Sequence, residues 1–381
     1  MTALALGAQI GLELSVAAYG AAAFALLRAR HRARGEPVAG WEPGVSILKP
    51  LSGVDEGLER NLESFYRLDY GAYEMIFSFA TAEDPAYAIA RRIADRHPEV
   101  PSLFVFDARE PGGNAKVNRL AAGLRHARHR LVLFSDGNVS VRADFLRRAA
   151  SWFADPHVGL VSHLFLASGA VSLASRVESL YLNGCLQAGT ALLAGFLRMP
   201  CVVGKSILVS RVALDAIGGI GVLREFLAED YLMGRRVRRA GYGVVLSGDF
   251  LHTAEVRKTG RAAWNRHRRW AMMRRRLAGP LYAGELLTSA LPWAAVAMAA
   301  SSPGWAAAAA ALLTLRYAGE VALAARIGRP LSLPDVALLP VRDLAAAAVF
   351  WAGLTGKWVA WRGRPLRIGR ETLIVERPRA A

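Results

Sequence analysis

Cysteine and lysine are scarce in this chain, and each scarcity narrows what the protein can be. Cys185 and Cys201 are the only cysteines in 381 residues. Both lie in apolar stretches without Cys-x-x-Cys spacing, so neither a disulfide framework nor a cysteine metal site is expected, and two reduced, buried thiols are. Lysine is confined to Lys49, Lys116, Lys205, Lys258 and Lys357, while lysine and arginine together number 48. The basic excess is therefore nearly all arginine. Zinc-ligand spacings, an RNP-like aromatic strand motif and a separate basic domain are also missing, which argues against a nucleic-acid partner despite a formal charge of +17. The first apolar run has no positive charge before it and no small-residue cleavage site after it, so a secretory signal does not fit.

What the chain does hold is an unusual pairing of 53% hydrophobic residues with that basic charge. A membrane protein with basic cytoplasmic flanks reconciles the two. Residues 3–27 are almost continuously apolar and lead into Arg28, Arg30, Arg32 and Arg34, which predicts a spanning helix whose C-terminal end is cytoplasmic. Glu13 inside this run is a cost unless another helix meets it. After Gly279, apolar segments recur near 286–302, 304–325 and 343–361, with Ser301 to Gly304 as a turn. Arg316 and Glu320 are four apart, on one helix face, and are expected to satisfy each other. Three crossings here would leave the arginine-rich tail outside, whereas charge bias keeps it inside, so one segment is expected to be interfacial or re-entrant. Residues 171–200 read either as a helix in the membrane interface or as a buried core helix.

From Val45 the pattern changes to short β-rich runs alternating with amphipathic helices, which predicts an α/β domain with a largely parallel sheet. Strands are expected near 45–48, 75–80, 102–106, 130–135, 158–166, 202–210 and 243–248. Helices are expected near 55–68, 85–97, 114–127, 143–154 and 229–240. The domain boundaries expected are a membrane anchor at 1–34, a cytosolic catalytic domain at 45–280 with interfacial helices, a membrane region at 281–365 and a tail at 366–381.

Several carboxylates fall where such a sheet presents ligands. The run Leu131 to Ser135 ends in Asp136, which either holds a divalent cation against a diphosphate or simply opens the turn Asp136-Gly137-Asn138. Asp84 either caps the helix that starts at Pro85 or binds a nucleotide. Gly112 to Asn118 offers backbone amides, Asn114 and the cation of Lys116 to phosphate or sugar oxygens. Glu229 and Asp230 open a helix; Asp230 is the candidate for the base that takes a proton from an attacking hydroxyl. The helix near 261–276 carries Arg266, His267, Arg268, Arg269 and Trp270 and reads as a lipid anchor, or as a diphosphate site with Trp270 beneath a sugar or lipid.

Asp84, Asp136, Asp230 and Arg266 to Trp270 follow in order the D, D, D, (Q/R)xxRW pattern, and the chain resembles the ceramide glucosyltransferases of glycosyltransferase family 21, relatives of family 2. Other matching stretches are Leu48 to Asp55, Asn61 to Phe65, Lys116 to Leu120, Gly204 to Leu208 and Ala228 to Tyr231. The resemblance implies a GT-A fold with one N-terminal and about three C-terminal membrane helices, a UDP-sugar donor, and a ceramide or other hydroxylated lipid acceptor. It implies Mg2+ or Mn2+ at Asp136, although Asn138 replaces the second acid of the usual DxD. It makes Asp230 the base, and gives Lys49, Asp84, Asn114, Lys116 and Asp136 to the donor. It gives His163, Lys205, Glu229, Arg266, Arg269 and Trp270 to the diphosphate and acceptor. It also implies a multi-pass protein of the inner membrane with its catalytic domain in the cytoplasm. Lys49, Lys116 and Lys205 all fall in matched stretches of an arginine-using chain, a hint that a compact ammonium is wanted there. A hopanoid-associated glycosyltransferase using N-acetylglucosamine, a processive polysaccharide synthase and a catalytically silent lipid-binding scaffold are the alternatives. The RxxRW form and the short membrane region disfavour the synthase.

Overall fold

The computed structural model describes residues 2–33, 38, 40–361 and 364–376. The chain forms two compact units, one of residues 29–168 and 198–254, the other of residues 1–28, 169–197 and 255–381.

The first unit is built on an eight-stranded mixed sheet. Its strands are β1 (Val45–Pro50), β2 (Tyr73–Phe79), β3 (Ser102–Phe106), β4 (Leu131–Ser135), β5 (Val139–Ser140), β6 (Val158–Ser168), β7 (Ser206–Ser210) and β8 (Gly243–Ala254), in the order β3-β2-β1-β4-β7-β6-β8-β5. The first four run parallel, β7 is antiparallel to both its neighbours β4 and β6, and β6 pairs in parallel with β8. All residues of β1, β2 and β4 are buried, as expected of strands covered on both faces. Helices Leu58–Tyr66, Pro85–Arg96, Ala115–Leu124, Phe145–Ser151 and Glu229–Arg239 agree with the expected positions to within a few residues. Local chemistry places their starts. Asp84 accepts the Ala86 N–H, and the Asn114 side chain accepts from Lys116 and Val117. The two-residue strand β5 was not legible in the sequence, because Val139 and Ser140 are too short a run to show alternation.

The second unit is mainly helical. Ala3–Ala33 and Pro303–Arg326 are long and apolar enough to cross a membrane, and the bent pair Gly260–Thr288 and Ala290–Ala300 makes up to three. Glu13, itself exposed, accepts a hydrogen bond at 3.0 Å from the buried Gln9 one turn earlier. Small residues pack the helices closely: Ala8, Leu12, Ala290, Ala294, Ala297 and Ala309 form one cluster, and any Cβ at Gly11 would collide with the Trp293 ring. Arg316 and Glu320 pair as expected, and Arg342 joins them, donating to Glu320 at 2.7 Å. Asp343 accepts the N–H groups of Ala290 and Leu291, both at 2.9 Å, and so caps a helix from another element.

Two segments differ from expectation. The apolar run 343–361 is helix only over Leu339–Thr355; Trp358–Trp361 is a strand, followed by Arg364–Ile368 and Ile374–Glu376 in an antiparallel sheet. Past Gly356 the pattern has period two, with Trp358 43% exposed and Val359 2%. The 171–200 segment is helix over Leu173–Leu180 and Gln187–Gly195 with a π-helical stretch Tyr181–Leu186 between. One side buries Glu178, Cys185 and Ala188, while Leu173, Phe196 and Leu197 stay exposed, so it is both a packed helix and an open apolar face.

Candidate active site

Asp136 follows β4 directly, and its carboxylate is ringed by ammonium groups. Lys116, near the start of Ala115–Leu124, reaches Asp136 Oδ1 at 2.9 Å, Glu229 Oε1 at 3.2 Å and the Gly204 carbonyl at 3.0 Å. Lys205, just before β7, lies 3.6 Å from Asp136 Oδ2 and donates to Asn138 Oδ1 at 2.8 Å. Lys49 on β1 donates to Ser135 Oγ at 2.9 Å and to the Asp136 carbonyl at 3.1 Å, with its ammonium 3.3 Å from the Phe65 ring centroid. The cluster sits at the carboxyl ends of parallel strands β1 and β4, where open α/β sheets bind ligands.

The charges respond to this crowding. Burial raises the Asp136 pKa, but Lys116 and Lys205 outweigh it and hold the carboxyl below its usual range. Burial also works against the Lys116 ammonium, yet Asp136 and Glu229 keep it firmly charged. Lys49 is fully buried, and its pKa falls well below the lysine range despite Asp136. Asp230 behaves in the opposite way to Asp136. Burial first, then the neighbouring Glu229, push it up to about 7, against the pull of Lys116. Its Oδ1 accepts the N–H of Tyr231 at 2.8 Å, and a Cβ on Gly204 would lie 2.7 Å from Oδ2, so only glycine leaves this carboxylate room.

Asn114 joins the cluster through Glu229, and Asp84 acts on the loop that follows β1. The Asn114 amide donates to the Phe226 carbonyl at 2.8 Å and to Glu229 Oε2 at 3.1 Å, tying one helix start to another. Asp84 caps its own helix and accepts the N–H of Gly53 at 3.0 Å, fixing a loop whose Gly53 has φ of +69°. These hydrogen bonds show the helix cap, and through Gly53 they also hold the Leu51 to Asp55 turn. His163 lies apart. It is buried on β6 against Phe145, and burial pushes it down to about 4, so it is neutral near pH 7. Gly204, Ser135 and Phe65 complete the cluster; Gly204 and Phe65 lay in matched stretches, and Ser135 carried no signal beyond its place at a strand end.

The residues implied for a divalent ion make a poor donor set. Both oxygens of Asp136 face ammonium groups, the Asn138 amide oxygen accepts from Lys205, and among the described residues no group of three His, Cys, Asp or Glu side chains is arranged to hold a metal.

In the other unit, Arg266 is itself held. Its guanidinium donates to Glu178 at 2.7 Å and Glu255 at 3.0 Å, two carboxylates that also share Lys258. His267 bonds Glu178 at 2.8 Å, and Trp270 packs against both Arg266 and His267. Arg269 donates to the Ala360 carbonyl at 3.0 Å and, among the described residues, has no carboxylate partner. Glu178 and Glu255 were not singled out from the sequence; each is an isolated acid whose partners lie on other elements.

A family model described as "Glycosyl transferase family 21" matches residues 11–374. The chain belongs to glycosyltransferase family 21. Ceramide glucosyltransferase 1 of Caenorhabditis elegans is 29% identical over 252 residues, covering 66% of this chain and 53% of that one. Ceramide glucosyltransferase 3 of the same organism is 31% identical over 207 residues, covering 54% of this chain and 45% of its own. The family 21 chain thus spans about half the length of these curated relatives. Among solved structures, a mannosyltransferase from Pyrobaculum calidifontis, in complex with GDP-Man and Mn2+, superposes with a TM-score of 0.54 at 24% identity, covering 90% of this chain and 98% of that one. That likeness carries the GT-A fold.

Proposed function

We propose that this family 21 protein transfers a hexose from a UDP-sugar to the primary hydroxyl of ceramide, with inversion at the anomeric carbon. The observation that carries the reading is Asp230, a carboxylate raised to about 7 beside a charged cluster at the mouth of a nucleotide-sugar fold. A base of that pKa is poised to take a proton near neutral pH. In the reaction the acceptor hydroxyl oxygen attacks the anomeric carbon while Asp230 takes its proton. The bond from that carbon to the diphosphate oxygen breaks, and UDP leaves with the electron pair. The ammonium groups of Lys116 and Lys205 meet the charge that gathers on the diphosphate. Arg266, Arg269 and Trp270 are assigned to the diphosphate and acceptor by resemblance. Arg266 is committed to two glutamates and serves to hold the helix, whereas Arg269 has no acid to neutralise it among the described residues.

The acceptor reading rests on the ceramide relatives and suits a protein with membrane helices. We place it in the cytoplasmic membrane, catalytic unit inward, on the arginines that end its first helix. The second unit supports an even number of crossings between Ala278 and Trp358. Helix Gly260–Ala278 touches the chain at the far end of the membrane region, with Arg269 donating to Ala360 at 3.0 Å and Arg275 to Gly353 at 3.2 Å, so both ends lie on one side. This keeps the basic tail inside. The deciding experiment incubates detergent-purified protein with a panel of UDP-sugars and either ceramide or bacteriohopanetetrol, reading products by mass spectrometry beside Asp230→Asn. Glycosylceramide made only by the unsubstituted protein is the expected result. A hopanoid product moves the acceptor, and no product with any pair refutes the reading.

A further inference from the structure

Lysine is rare in this chain, yet three lysines meet at Asp136, and one of them occupies a position that cations of another kind are built to fill. Lys116 Nζ has three oxygen neighbours on three separate elements: Asp136 Oδ1 at 2.9 Å, the Gly204 carbonyl at 3.0 Å and Glu229 Oε1 at 3.2 Å. Its three N–H donors are matched by three acceptors. Asp230 closes the same space from the Gly204 side. Two acids, a backbone carbonyl and a nearby third acid are oxygens of the type a hard divalent ion selects, but among the described residues they are spaced around an ammonium and not as a metal site.

We propose that the Lys116 ammonium is the resident cation of this site, filling the place that family resemblance gives to Mg2+ or Mn2+, so that donor binding and transfer need no divalent metal. The proposal rests on the glycosyltransferase reading for its consequence, but its geometry stands without it. Three observations support it. Asn138 stands where a DxD motif has its second acid, which removes one of the charges a divalent ion requires. Its amide oxygen and Asp136 Oδ2 are already served by Lys205, at 2.8 and 3.6 Å. Finally, the choice of lysine in an arginine-rich chain is physical. A planar guanidinium presents its donors as a flat fork, while a tetrahedral ammonium can face three oxygens that converge from different directions. The arriving diphosphate exchanges with the carboxylates as partner of Lys116 and Lys205, and Asp136 acts by holding these lysines in place.

The test is Mn2+ binding by electron paramagnetic resonance on chelator-stripped, full-length protein in detergent. It is independent of turnover, so it stands or falls apart from the UDP-sugar reading. Unsubstituted protein is expected to leave the free Mn2+ signal undiminished at stoichiometric metal. Lys116→Met strips the ammonium from Asp136, Glu229 and Asp230 and is expected to create a saturable Mn2+ site, which Lys116→Met combined with Asp136→Asn removes. Lys116→Arg, which keeps the charge, reports on the same point if the methionine variant fails to fold: it is expected to bind no Mn2+. Turnover then adds a second readout. Chelation is expected to lower unsubstituted activity by less than about twofold, where a metal-borne mechanism would lose orders of magnitude. A stoichiometric Mn2+ site in the unsubstituted protein that Asp136→Asn abolishes overturns the proposal, and so does a folded Lys116→Met that binds no Mn2+.

Discussion

Replacing Asp230 by asparagine should abolish transfer and at the same time stabilise the protein. The carboxyl starts from 3.8 and is pushed up to about 7, first by burial and then by Glu229, with Lys116 pulling the other way. Between about pH 4 and pH 7 the folded state therefore holds a proton that the unfolded state has lost. The unfolded state binds fewer protons in that window, so stability falls as pH rises through it and the penalty is complete above about pH 7. At 1.36 kcal/mol for each pKa unit, and with the coupling to Glu229 discounted, the penalty is on the order of 2–4 kcal/mol at pH 8. Asp230→Asn keeps the shape and removes the ionisation. It should raise the thermal midpoint in detergent by several degrees at pH 8 and by almost nothing near pH 4. Loss of the base should lower turnover by about 10²–10⁴-fold. In the unsubstituted enzyme, kcat/KM should rise with pH along a limb centred at about 7. Thermal shift across pH 4–8 and UDP release across the same range test both halves. A variant less stable at pH 8, or one whose turnover falls by less than about tenfold, refutes the claim that Asp230 is a strained base.

Gly204→Ala places a Cβ 2.7 Å from Asp230 Oδ2, so the carboxylate must move; turnover should fall by about 10–100-fold while the protein stays folded, as misplaced groups of this size do. His163→Leu should lower the thermal midpoint, because the Ser206 backbone loses its buried partner, and should leave the acidic limb of kcat/KM where it is, since His163 is already neutral. Glu178→Ala removes a carboxylate shared by Arg266, His267 and Lys258 and should destabilise by about 3–5 kcal/mol; adding Arg266→Met should recover part of that, as a double-mutant cycle on thermal midpoints will show. Single cysteines at Arg261 and Lys357, both exposed, should react with a membrane-impermeant maleimide from the same face of oriented vesicles; labelling from opposite faces would contradict an even number of crossings.

How far the sequence could be read depended on the range of the interaction responsible. The strands of the sheet and the helix at Pro85 were visible because burial on both faces and an Asp-Pro start are written in adjacent residues. Arg316 and Glu320 were visible as a pair because four residues make one helical turn; Arg342 and Asp343, which complete their surroundings, were not, because they come from another helix. The same limit applies at the site. The acids of the D, D, D pattern stood out at a strand end and at helix starts, and resemblance tied them into one ordered set, but the meeting of residues 49, 116, 136, 205 and 229 is a property of strand order, with β7 inserted antiparallel between β4 and β6. Residue choice against background did point there: lysine persists at these positions in a chain that otherwise uses arginine. That signal located the cluster without separating its members. Lys116 carries three oxygens around an ammonium, whereas Lys49 is wholly buried over Phe65 and ties Ser135 to the Asp136 backbone. A guanidinium would be too large for Lys49's place and too flat for that of Lys116, so one preference for lysine has two physical origins, and only the three-dimensional arrangement tells a cation that answers charge from one that sets a strand end.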